Sequence, residues 1–207
     1  NFWKKNQKTL KNKIDDFSVL PNGQLLIPKP YSHFYIYPSI SESFDNKIYD
    51  KSDKNTPVDI NDIIYRNGKT FLASRTRGLF ILEDNKIVSL ASNTNFKEKR
   101  VIDLAINEAG QIFIANNNGT IFKAETNKDF KITDTISKNN ICGNTILFME
   151  CYKDLLLVGT NEGLNVVQNN KIQFLNNYDG LQNRNFNTSI IYNDTLFIGT
   201  TNGLYSI

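Results

Sequence analysis

Four segments of this chain can be written under one another: GKTFLASRTRGLFI (68–81), GQIFIANNNGTIFK (110–123), DLLLVGTNEGLNVV (154–167) and DTLFIGTTNGLYSI (194–207). Each has an apolar run, a small residue, a short polar stretch, a glycine and a second apolar run. The glycines, Gly78, Gly119, Gly163 and Gly203, are 41, 44 and 40 residues apart. Self-similarity at this period excludes most folds, because each unit must be one supersecondary element that buries its faces against its neighbours. The glycine suits a hairpin tip, where a positive φ is often required. The small residues four positions earlier (Ser74, Ala115, Gly159 and Gly199) suit close approach by a neighbouring sheet.

Further strands flank each hairpin. Upstream stand INDIIYR (60–66), VIDLAIN (101–107), ILFMECY (146–152) and TSIIYN (188–193). Downstream stand NKIVSLA (85–91), FKITDTI (130–136) and NKIQFLN (170–176). The apolar runs are short and end at Gly, Asn or Asp, with no sustained helical period. Four strands per unit of this length make the blade of a β-propeller. A divergent copy, GQLLIPKPYSHFYIYP (23–38), brings the number to about five. The expectation is an all-β chain, one propeller domain over 1–207, with repeats at about 14–50, 58–91, 99–136, 144–176 and 186–207. The last copy ends after its third strand. Either NFWKKNQ or KTLKN near the start supplies the missing outer strand, or these blades belong to a larger, seven-bladed ring; the second reading is preferred.

Composition narrows the chemistry. A net charge of +3, spread over 207 residues without a basic arm, argues against nucleic-acid binding. No apolar run reaches transmembrane length, so no membrane insertion by this segment is expected. Cys142 and Cys151 fit no metal-ligand spacing, and a single histidine, His33, rules out a histidine-rich centre. No calcium loop, phosphate-binding glycine loop or Ser/His/Asp arrangement is recognisable. No cofactor, metal site or catalytic residue is expected.

The segments DLLLVGTNEGLNVV and DTLFIGTTNGLYSI resemble the two-component regulator propeller repeat, G-x-L-W-I-G-T-x-x-G-L, with Leu157 and Phe197 in place of its tryptophan. The stretch YDGLQNRNFN (178–187) is similar to the connection into the closing blades of such sensors. The resemblance implies the sensor part of a bacterial hybrid two-component or triple-tyrosine-domain regulator. It also implies a periplasmic or extracytoplasmic location in a membrane-anchored receptor, frequently one that detects oligosaccharides. The expected partners are an oligosaccharide or other small molecule, downstream signalling domains of the same protein, and a second copy in a homodimer.

With the strands of each blade lettered a to d outward from the axis, the b–c hairpins and the d–a crossovers share one rim, where binding residues concentrate. On it the expected ligand contacts are Arg75, Arg77, Arg100, Asn183, Arg184 and Asn185, whose forks and amides can pair with hydroxyls or carboxylates. Tyr31 and His33 join them from the divergent copy. Two other functions compete. A protein-interaction scaffold would use rim aromatics such as Phe96 and Phe186. A propeller hydrolase or lyase would need channel carboxylates, and aligning on the glycines puts Asp62, Asp103, Leu147 and Asn187 in one column. The simpler reading of that column is hydrogen bonding to backbone N–H groups.

Overall fold

The computed structural model describes residues 18–19, 25–29, 33–37, 47–48, 60–66, 68–83, 86–90, 96–126, 130–175 and 185–207. Each repeat forms one antiparallel sheet whose strands follow chain order. Blade 1 contains β1 (Ser18–Val19), β2 (Leu25–Lys29), β3 (His33–Tyr37) and β4 (Lys47–Ile48). Blade 2 contains β5 (Ile60–Arg66), β6 (Lys69–Ser74), β7 (Gly78–Glu83) and β8 (Lys86–Ser89). Blade 3 contains β9 (Val101–Ile106), β10 (Gln111–Asn116), β11 (Ile121–Glu125) and β12 (Lys131–Ile136). Blade 4 contains β13 (Ile146–Tyr152), β14 (Leu155–Thr160), β15 (Leu164–Gln168) and β16 (Lys171–Leu175). Blade 5 has three strands, β17 (Phe186–Tyr192), β18 (Thr195–Thr200) and β19 (Gly203–Ser206). The propeller expected from the repeats is the observed fold. The segments proposed to complete the last blade, within residues 1–12, lie outside the described residues.

The innermost strands β1, β5, β9, β13 and β17 pack against one another in that order. Between consecutive blades lie apolar layers. Ile112 and Ile114 of β10 face blade 2, joining Phe71, Leu79 and Ile81, whereas Phe113 and Ala115 face blade 4, joining Met149, Leu156 and Val158. Leu196 and Ile198 of β18 pack on Phe148, Leu157 and Leu164. Alternate side chains of a second strand thus enter two different layers, which is why those strands read as unbroken apolar runs.

Tight turns join the strands at the opposite rim. Asn169–Asn170 and Asn193–Asp194 are two-residue loops with positive φ at both positions, between 48° and 62°. This is the turn whose twist matches the flanking strands, and Asn and Asp tolerate it better than other residues with a β-carbon.

The register corrects two columns. Turns 75–77 and 117–119 have three residues, but 161–162 and 201–202 have two. Ser74 therefore belongs with Asn116, Thr160 and Thr200, while Ala73, Ala115, Gly159 and Gly199 form the small-residue column. A β-carbon on Gly159 would lie 2.1 Å from the ring of Phe148, so the space serves the blade's own inner strand rather than a neighbouring sheet. The inner strands of blades 2 to 5 each carry one extra residue, Asn61, Ile102, Leu147 or Asn187. The partners of the small column are consequently Asp62, Asp103, Phe148 and Thr188, not Leu147 and Asn187.

Candidate ligand-binding rim

In blades 2 to 5 the second strand ends in a polar residue whose side chain organises the hairpin that follows. Ser74 Oγ accepts from the N–H groups of Thr76 and Arg77 at 3.3 and 3.1 Å. Asn116 Oδ1 accepts from Asn118 and Thr120 at 3.2 and 2.9 Å. Thr160 Oγ1 accepts from Glu162 and Gly163, both at 3.2 Å, and donates to the Gly163 carbonyl at 2.8 Å. Thr200 Oγ1 repeats that donation to Gly203 at 2.9 Å. Short polar side chains that satisfy turn N–H groups fix the hairpin tip. These residues are buried or half-buried and serve the scaffold, leaving the turn residues beyond them facing solvent.

The crossovers dock onto these hairpins. Asn117 N–H donates to the Arg100 carbonyl at 3.1 Å, Asn161 N–H to Thr145 at 3.2 Å, and Thr201 N–H to Asn185 at 3.4 Å. Asn161 Oδ1 accepts from the N–H groups of Asn144 and Thr145, both at 3.0 Å. Asn165, fully buried, exchanges two hydrogen bonds with the backbone of Cys142 at 2.8 and 2.9 Å. The hairpins and crossovers therefore form one rim, as the strand order requires.

Arg75 and Arg77 are exposed in the blade 2 hairpin. Arg100 is exposed at the end of the crossover from blade 2 to blade 3, so the structure brings these three arginines into one sector. Asn185 is exposed just before β17, two blades further along the arc. His33 opens β3 and pairs with Lys29, at the hairpin end of blade 1. Tyr31, Asn183 and Arg184 lie outside the described residues.

Two aromatic candidates are not surface groups. Phe96 is 2% exposed and packs edge-on against Phe122, with ring centroids 5.4 Å apart; Phe186 is fully buried. Both anchor a crossover to the core, because a large ring gains more from burial than from solvent. The scaffold reading loses the residues chosen for it.

The channel carboxylates have structural partners. Asp62 accepts from the Leu104 N–H of the next blade at 2.6 Å through Oδ2, and from Ile63 N–H at 2.8 Å through Oδ1. Asp103 repeats the inter-blade bond one blade on, accepting from Met149 N–H. Burial, and then the neighbouring Asp62 charge, hold the Asp103 carboxyl well above the ordinary carboxylate range. Glu150 is raised by burial, against hydrogen bonds from Cys151 N–H and Ser189. Burial and the Glu150 charge push the Cys151 thiol up to about 12, so it is a poor nucleophile; Cys142 is likewise free rather than disulfide-bonded. Among the described residues no group of histidine, cysteine and carboxylate side chains is arranged to hold a metal ion.

The sequence reading missed Ser74, Asn116, Thr160 and Thr200 as a column, and their signal was present as a polar residue at the end of each second strand. It also missed the cations beside the arginines, Lys97, Lys99 and Lys138, all exposed on the same rim.

No family profile matches the sequence, and no curated protein does. Solved structures do. The chain is similar to the extracellular domain of the putative hybrid two component system BT4673 from B. thetaiotaomicron, with a TM-score of 0.71 and 19% identity over 92% of this chain. A second structure, of the extracellular domain described as the putative one component system BT4673, aligns with a TM-score of 0.70, also at 19% identity. The extracellular domain of the putative hybrid two component system BT3049 from the same organism aligns over 99% of this chain, with a TM-score of 0.62 and 15% identity. The chain spans 27% of the BT4673 domain and 35% of the BT3049 domain, so it corresponds to about a quarter to a third of their length. At these identities the shared property is the propeller fold.

Proposed function

We propose that this chain is a ligand-sensing propeller segment of a bacterial two-component-type receptor, lying outside the cytoplasm in a membrane-anchored protein. An oligosaccharide or another small molecule binds across the rim formed by hairpins and crossovers. Signalling domains elsewhere in the same protein, arranged as a homodimer, receive the response. The observation that carries this reading is the fold match, over nearly the whole chain, to extracellular domains of proteins described as signalling systems. The repeat motifs in residues 154–207 support it independently.

A non-enzymatic role fits the inner strands. Asp62 and Asp103 each give an oxygen to the backbone of the next blade, and that use explains why carboxylates occupy equivalent positions there. Glycoside cleavage needs one carboxyl free to donate a proton and a second free to attack or to activate water.

Isothermal titration of the folded chain against a panel of oligosaccharides tests the proposal. The expected outcome is saturable binding by at least one, weakened about tenfold by replacing Arg100 and Asn185 with alanine, a loss of about 1.4 kcal/mol. A folded chain that binds none of the panel, in the receptor as well as alone, sinks the sensing role.

A further inference from the structure

Resting on the sensing proposal, the geometry points to an acidic oligosaccharide, one carrying uronate or sulfate groups, as the class of ligand that the blade 2–blade 3 sector of the rim takes. Six cations stand exposed on the described part of this rim: Arg75, Arg77, Lys97, Lys99, Arg100 and Lys138. Among the described residues of the rim, two carboxylates stand against them, Glu98 and Glu162. Glu162 lies away from the sector on the blade 4 hairpin, next to Asn144. Glu98 is half-buried and takes a hydrogen bond from Asn116 Nδ2 at 3.1 Å.

Charge alone describes many solvated surfaces, but here the backbone that displays it is held in place. Phe96, buried against Phe122 and Phe130, pins the described stretch of the crossover, 96–100, at its first residue. Gly78 pins its middle: its φ is +88°, and a β-carbon there would lie 2.2 Å from the Glu98 carbonyl oxygen. Arg100 is tied at its end by Asn117 N–H. The next crossover approaches the same sector, with the Lys138 side chain lying across Gly119. Lys97, Lys99 and Arg100 are therefore presented from a fixed loop beside the Arg75–Arg77 hairpin. An excess of cations on one sector of a rim attracts anions, and a fixed loop has little entropy left to lose when one binds. Arginine pairs with carboxylate or sulfate oxygens through two parallel hydrogen bonds. Among the described residues of this sector no aromatic side chain is exposed to stack on the apolar face of an uncharged sugar.

The test uses the 207-residue chain and three probes of equal length: an oligogalacturonate, a sulfated galactan oligomer and an uncharged galactan oligomer. One or both acidic probes are expected to bind about tenfold or more tighter than the uncharged one, with affinity falling as salt rises. Arg75→Glu with Lys99→Glu is expected to abolish that preference. Lys131→Glu with Lys171→Glu, the same charge change at the opposite rim, is expected to leave it within about twofold. Arg75→Gln with Lys99→Gln, which adds no repulsion, is expected to give an intermediate loss. Equal loss in both charge-reversed proteins overturns the assignment, since net charge alone then explains binding. So does tighter binding of an oligodeoxynucleotide of matched charge. Salt-independent binding of the uncharged probe at an equal affinity overturns the acidic class and leaves the sensing proposal standing. Failure of all three oligosaccharides, with the chain folded, overturns the acidic class, and the sensing proposal is then decided by the wider panel on the receptor.

Discussion

Asp103 shows how one side chain can hold two blades together and carry a pH dependence as well. Its carboxyl is raised in the fold, so it keeps its proton at pH values where the unfolded chain has lost its own, above about 4. The stability from this group is fully present below that pH and is lost as pH rises through the folded pKa. Glu150, raised in the same sense, adds to the trend. Asp103→Asn keeps an acceptor for Met149 N–H and puts an uncharged donor beside Asp62. Chemical denaturation should find the variant at least as stable as the parent near neutral pH, with its relative advantage growing from about pH 4 to pH 8. Asp103→Ala should be destabilised by about 1–3 kcal/mol, because Met149 N–H then has no partner. A variant Asn protein that loses stability steadily with rising pH relative to the parent contradicts this account. Gly78→Ala should cost about 2 kcal/mol or more by thermal melting, since the β-carbon meets both an unfavourable φ and the Glu98 carbonyl. At this scale the sequence pointed to both residues. It misaligned their column because a hairpin one residue longer leaves no mark in a pattern read from the glycines.

The same leucine position behaves differently in different blades. Leu79, Ile121 and Leu164 pair with the small-residue column in the third strands of blades 2, 3 and 4 and are at most 1% exposed, whereas Leu204, its counterpart in blade 5, is 69% exposed. Ile190, Tyr192 and Ile207 of blade 5 are also more than 60% exposed. Blades 3 and 4 each bury one face against the blade before and the other against the blade after, and no described residue covers the outer face of blade 5. Leu164→Ala should cost about 2–5 kcal/mol in denaturant titrations. Leu204→Ala in the same chain should change stability by no more than about 0.5 kcal/mol. Equal losses at the two positions rule out this layered description. In a larger ring, where a further blade covers β19, the Leu204 substitution becomes as costly as the other. Strand existence was legible from apolar runs bounded by Gly, Asn and Asp. The bulges at Asn61, Ile102, Leu147 and Asn187 were not, because an extra residue in a ladder is defined by its partner strand.

Across the molecule, the repeat period and the alternation within each second strand were enough to specify a propeller. A unit of about forty residues with two apolar faces has few other ways to remove both from water. The strand order then determined which turns share a rim, and so Arg75, Arg77 and Arg100 were named together from sequence. Tertiary structure decided which neighbours of those residues matter. Phe96 and Phe186 sit among polar residues in the chain and read as surface, yet the core takes them, because a crossover that spans two blades needs an apolar anchor between them. Lys97, Lys99 and Lys138 read as ordinary loop lysines, and only the docking of two crossovers onto the hairpins collects them beside the arginines. Residue type and spacing are local properties, sufficient for strands and for their period. A rim is made by segments that meet across blades, where packing rather than sequence distance determines what is adjacent.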